Sequence, residues 1–245
     1  MNGSEHPAAP SRLYLRQLLA GRDFAAGDGL ARRMVNFVYA IGDRETRDAV
    51  LVDPAHAPGE LVEMLHADSM RLVGALLTHY HADHAGGVLG GARVAGVAEL
   101  LEHADVPVHV QRDEAVWVTE QTGVDPSSLV GHGAGERLDV GGVALTLLHT
   151  PGHTPGSQCV LVDGRLVTGD TLFLEGCGRT DLPGGDAAAL YESIVHGIAP
   201  LADETVVLPG HAYSRAPSAT LRVVRELNPV LAPRPPEEWL AAFGG

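Results

Sequence analysis

Lysine is missing from this 245-residue chain, which sets only 17 arginines against 31 acidic residues and carries a formal net charge of −14. Nucleic acids and anionic membranes are bound through clustered positive charge, so neither is expected as a partner, and a multivalent cation suits the balance better. Cysteine is scarce as well. Cys159 and Cys177 are the two present, which excludes a disulfide framework and makes a reducing compartment the default. No apolar run approaches the roughly 20 residues that span a bilayer, and the opening MNGSEHPAAP lacks a basic segment followed by an apolar one. A cytoplasmic location is the expectation. What is present is a globular composition, 45% hydrophobic, on a length that fits one large domain or one domain with a small appendage.

Short β-type runs alternate with helix-like segments, without repeats or low-complexity tracts. Residues 12–20 and 35–42 read as strands, and 43–48 as a hairpin loop into a third strand that ends at Asp53. A helix is predicted from Pro58 to 67, with Leu61, Met64 and Leu65 on one face. The run 71–78 is short and continuously apolar, as a buried strand is, so His79 begins where that strand stops. Residues 97–104, 111–121, 186–198 and 218–228 read as helices. Residues 107–110, 143–150, 157–162, 165–170 and the start of 205–211 read as strands. This order implies an α+β fold of two sheets layered with helices outside. Residues 1–11 are expected to be a disordered N-terminus and 12–228 the domain. Within it, 88–137 reads as an insert that serves as a lid or a subunit contact in a homo-oligomer, and 229–245 reads as a Pro-rich tail.

Residues 76–87 read LLTHYHADHAGG, which places three histidines and an aspartate within six positions directly after an apolar run. From the composition, H-x-H-x-D-H arises by chance in such a chain with probability of roughly 0.002, so coincidence explains it poorly. Three further groups follow β-type runs and sit beside glycine, where backbone turns sharply: His153 in TPGHTPG, Asp170 in VTGDTLF and His211 in LPGHAYS. Neutral imidazoles and carboxylates hold Zn²⁺ or a similar ion while leaving a position open for water, and two lone cysteines cannot build a closed thiolate site. Five histidines and two aspartates exceed what one ion needs. They suffice for two divalent ions about 3.5 to 4 Å apart, zinc first, with iron or manganese as alternatives.

The string T-H-Y-H-A-D-H, followed in order by P-G-H, G-D and P-G-H, resembles the metallo-β-lactamase superfamily over most of residues 12–228. The resemblance implies a four-layer αββα sandwich with metals at one edge between the sheets. It assigns His79, His81 and His153 to a first ion, Asp83, His84 and His211 to a second, and Asp170 to both, with Asp53 in LVDP supporting the site from behind. Two branches of the family fit. TGDTLFLEGCG is similar to glyoxalase II and its thioester-hydrolase relatives, which implies attack on a small-molecule thioester by a metal-held hydroxide, with Asp83 or Asp170 taking up the proton. This is the first expectation, although the long helical extension that binds glutathione in glyoxalase II has no counterpart after His211. The alternative is a persulfide dioxygenase, which GCGRTDLPGGD, ALYESI, LPGHAY and LNP resemble. That branch implies a single Fe(II) on His79, His153 and Asp170 and a thiol-derived substrate. A non-catalytic metal-binding protein is a third, minor reading.

Smaller expectations attach to neighbouring residues. Arg179 either anchors a substrate carboxylate or pairs with Asp181 to fix its loop. Tyr213 either donates to substrate or is buried as a structural residue. Cys177 is expected to pack as a small side chain rather than act as a thiolate, and Tyr80 to pack beneath the site.

Overall fold

The structure is a computed structural model that describes residues 11–244. Two six-stranded sheets face one another. The first runs β1-β2-β3-β4-β7-β8, built from β1 (Leu13–Leu19), β2 (Phe37–Asp43), β3 (Asp48–Val52), β4 (Arg71–Leu76), β7 (Val108–Gln111) and β8 (Leu129–His132). The second runs β14-β13-β12-β11-β10-β9, from β9 (Arg137–Val140), β10 (Val143–His149), β11 (Gln158–Val162), β12 (Arg165–Gly169), β13 (Val206–Pro209) and β14 (Ala219–Thr220). A small hairpin, β5 (Gly87–Leu89) and β6 (Ala92–Val94), stands apart from both.

Strand periodicity builds the layers. Along β2, Phe37, Tyr39 and Ile41 point between the sheets onto Leu145, Leu147 and Val160, while Val38 and Ala40 point outward. The outer face of the first sheet is covered by α2 (Pro58–Ala67), α4 (Val97–His103) and α5 (Ala115–Thr122). The outer face of the second is covered by α6 (Ala187–Glu192), α7 (Leu221–Leu227) and α8 (Pro236–Phe243). This is the four-layer αββα sandwich expected from the motifs. No helix among the described residues is long and apolar enough to cross a membrane.

Several local expectations need correction. The disordered N-terminus falls almost wholly on residues outside the described range, and Ser11 caps the start of β1 by accepting from the Leu13 amide. The described part of the expected tail, residues 229–244, is built into the fold. A short 3₁₀ turn at Pro229–Leu231 leads into α8, whose Trp239 is fully buried and donates its indole N–H to the Val230 carbonyl. Such an anchor typically contributes about 3–5 kcal/mol at a core site. Residues 88–137 are no insert outside the sandwich either, because they supply β7 and β8 to the first sheet and α4 and α5 to its outer face. The predicted helix 111–121 begins later. Gln111 ends β7 and caps a 3₁₀ turn, Arg112–Glu114, before α5. Two short helices escaped the sequence reading: α1 (Gly29–Met34), capped by the Asp28 carboxylate, and α3 (Ala82–Ala85) inside the histidine motif.

Candidate metal centre

The strand ends converge at one edge of the sandwich. Asp53 follows β3, His79 and His81 follow β4, Asp83 and His84 ride on α3, His153 follows β10, Asp170 follows β12 and His211 follows β13. Both sheets are stitched together here: Phe37 N–H donates to the Gly210 carbonyl and Ala212 N–H to the Val35 carbonyl. Two glycines allow the approach. Any side chain at Gly178 would collide with the Asp170 carbonyl and the His153 ring, and one at Gly210 would strike the Asp170 carboxylate.

All seven predicted side chains come together. The ligand atoms of His79, His81 and His153 lie within 4.8 Å of one another, as do those of Asp83, His84 and His211. Asp170 stands between the groups, with Oδ2 3.7 Å from His153 Nε2 and 3.3 Å from His211 Nε2. Four imidazoles are held from behind by their Nδ1 atoms. His153 donates to the Arg179 carbonyl (2.7 Å), His211 to the Met34 carbonyl (2.7 Å) and His84 to Asp53 (2.9 Å), while His79 lies 3.0 Å from Thr78 Oγ1. Such partners fix the tautomer and turn Nε2 toward the centre.

The Nε2 atoms of His79, His81 and His153 and the Oδ1 atom of Asp170 are buried without a hydrogen-bond partner among the described residues. Buried polar atoms are normally satisfied, and four unpaired donor atoms of this kind are what a divalent ion requires. Burial drives His79 far below its usual range and, with His153 beside it, takes His81 down to about 3, so both offer lone pairs at neutral pH. Burial opposes ionisation of Asp170, yet His211 and His84 hold its carboxyl well below the usual carboxylate range.

The second group is differently arranged. Asn36 donates to Asp83 Oδ2 (3.1 Å) and lies 3.2 Å from His84 Nε2, which is itself 3.2 Å from His211 Nε2. Asn36 is in turn within 3.3 Å of His56. Sequence reading missed Asn36 and His56, which belong to no motif, and gave no role to Thr78, although it opens the T-H-Y-H-A-D-H string. The strand-end position of Thr78 beside His79 was the one available signal. Asp53 accepts from both the amide and hydroxyl of Thr78 (2.7 and 2.6 Å), so one carboxylate braces His84 directly and His79 through Thr78.

A cavity of about 630 Å³ opens onto the cluster. Its wall beyond the histidines is mostly apolar, with Met34, Val88, Leu89, Phe173 and Leu182. Arg179 lines it, but its guanidinium is held bidentately by Asp181 (2.5 and 2.5 Å), which realises the loop-fixing option. Tyr213 is no buried residue: it is 57% exposed and stacks on His211 with centroids 4.6 Å apart. Tyr80 packs against Trp117 and donates its hydroxyl to the Pro183 carbonyl. Burial pushes the Cys177 thiol up to about 11, which leaves it a neutral packing group.

Fold and cluster together define a metal-binding αββα sandwich with its ligands at the edge between two sheets. The chain belongs to the metallo-β-lactamase superfamily, whose family model matches residues 32–211. It is 32% identical over 207 residues to the mouse (Mus musculus) mitochondrial persulfide dioxygenase ETHE1, covering 80% of this chain and 71% of that protein. The crystal structure of ETHE1 from Myxococcus xanthus superposes with a TM-score of 0.76 at 29% identity, covering 95% of this chain and 90% of that one. The structure of TTHA1623 in a di-iron-bound form is also similar, with a TM-score of 0.65 and 28% identity over 80% of this chain and 95% of that one.

Proposed function

We propose that this protein is an enzyme that oxidises a small-molecule thiol persulfide with O₂ at a single Fe(II) ion. The observation that carries the reading is the division of the cluster: the unpartnered ligand atoms belong to His79, His81, His153 and Asp170, whereas Asp83 Oδ2 and His84 Nε2 already accept from Asn36. Similarity to two proteins named as persulfide dioxygenases or ETHE1 supports it. It displaces thioester hydrolysis, the first expectation from the sequence, in favour of what was there the alternative.

His79, His153 and Asp170 would hold the ion as a two-histidine, one-carboxylate face, with His81 alongside. When bound, iron of this kind supplies the redox chemistry by which O₂ reacts. The protein's own part is positional. Thr78 and the Arg179 carbonyl keep the His79 and His153 rings aimed inward, Asp170 remains ionised, and the apolar wall limits water at the reacting sulfur. Tyr213 and the Arg179 loop stand at the mouth, where the thiol portion of a substrate would rest.

Two-metal thioester hydrolysis is the second reading, because Asp83, His84 and His211 also present a ligand set within 4.8 Å and a similar structure holds two irons. Purification without added metal, metal analysis per chain, and parallel assays with a lactoyl thioester and with glutathione persulfide on an oxygen electrode separate them. One iron per chain with oxygen uptake is expected. Two zinc ions with thioester cleavage overturn the proposal.

A further inference from the structure

Glu114 lies in the 3₁₀ turn between β7 and α5, outside every metal-binding motif, and is 1% exposed. Its Oε1 accepts from the Tyr80 amide (2.7 Å) and the Thr154 hydroxyl (2.8 Å), and its Oε2 accepts from the Gly156 amide (2.6 Å). Tyr80 sits between His79 and His81 on the loop after β4. Thr154 follows His153 on the loop after β10. Those strands belong to opposite sheets, so one carboxylate spans the sandwich at its metal-binding edge.

The fit is close on both sides. A side chain at Gly156 would collide with Glu114, and Thr154 is held further by Ser157 through its amide (3.1 Å) and hydroxyl (2.7 Å). Among the described residues no cation acts on the buried carboxyl, and burial raises it to about 7. An acid placed at that cost, with all its neighbours donating to it, is a tie between backbones rather than half of an ion pair.

We propose that Glu114 is a positioning residue that locks the two ligand-bearing loops in register and so sets the geometry in which His79, His81 and His153 grip an ion. The role depends on metal binding at this first group and on no particular reaction, so it stands or falls separately from persulfide oxidation.

The test is Co²⁺ titration of the chelator-stripped full chain, read by the visible d–d bands, for the wild type and for Glu114→Gln. The amide keeps the side chain's size but sets a donor against donors. The variant is expected to keep its circular dichroism, to bind Co²⁺ about 10- to 100-fold more weakly, the range for groups that orient ligands, and to show shifted bands. A lower thermal midpoint with unchanged Co²⁺ affinity and spectrum overturns the proposal. Should Glu114→Gln not fold, Thr154→Val removes a single strand of the tie. A several-fold weaker Co²⁺ affinity supports the role, and an unchanged affinity overturns it.

Discussion

His79, His81 and His153 are steered from outside their own group, by Thr78, by the Arg179 carbonyl and by the loops that Glu114 spans, and their Nε2 atoms carry no partner among the described residues. Beside them, Asp83 Oδ2 and His84 Nε2 both accept from the Asn36 amide, so two ligand atoms of the second group are already hydrogen-bonded. Similar residue types, buried except for the partly buried His81, are thus prepared differently. A coordination site is made less by collecting imidazoles than by denying them other hydrogen bonds while fixing their far nitrogens.

Two isosteric substitutions break this comparison most directly. Asp170→Asn removes the charge facing the unpartnered group and is expected to abolish both stoichiometric iron and oxygen uptake. Asp83→Asn changes the group that Asn36 already holds and is expected to retain one iron per chain, with activity lowered about tenfold, as for a residue that orients ligands. Metal analysis and oxygen-electrode rates on the two variants decide it. Equal loss in both would mean that the groups act as one two-metal site.

Asp53 touches both groups, so its replacement measures how far they are coupled. With Asp53→Asn, His84 loses a carboxylate acceptor and Thr78 loses the acceptor that orients it toward His79. Iron affinity is expected to fall by about 10-fold, read by competition with a chelator. A change confined to a second bound ion, with the first unaffected, would show that the Thr78 relay contributes nothing.

The motifs made the cluster legible because metal ligation constrains residue type and spacing at strand ends, and HYHADH, PGH and GD keep that spacing in the chain. The layered sheets were legible for a similar reason, since alternating and continuous apolar runs encode which strand faces are covered. The hidden parts are those whose meaning is long-range. Asn36, His56 and Glu114 reach the centre through contacts 20 to 47 residues away in sequence, which no local pattern announces. The buried helix at Trp239 was masked by its prolines, which start α8 rather than prevent structure.

The smallest expected effect concerns the Arg179 loop, where a single residue plays two parts. Its carbonyl fixes His153 in a partly buried backbone contact, while its guanidinium directs its donors to Asp181 at the surface. Exposed ion pairs contribute little, so Asp181→Asn is expected to leave iron content unchanged and to alter the KM for glutathione persulfide by less than about twofold, at low and high salt alike. Were Arg179 instead the anchor for a substrate carboxylate, releasing it from Asp181 would strengthen that contact, and KM would fall several-fold in a salt-dependent way. The outcome separates a loop whose side chain serves the first histidine group indirectly from one that also reads the substrate.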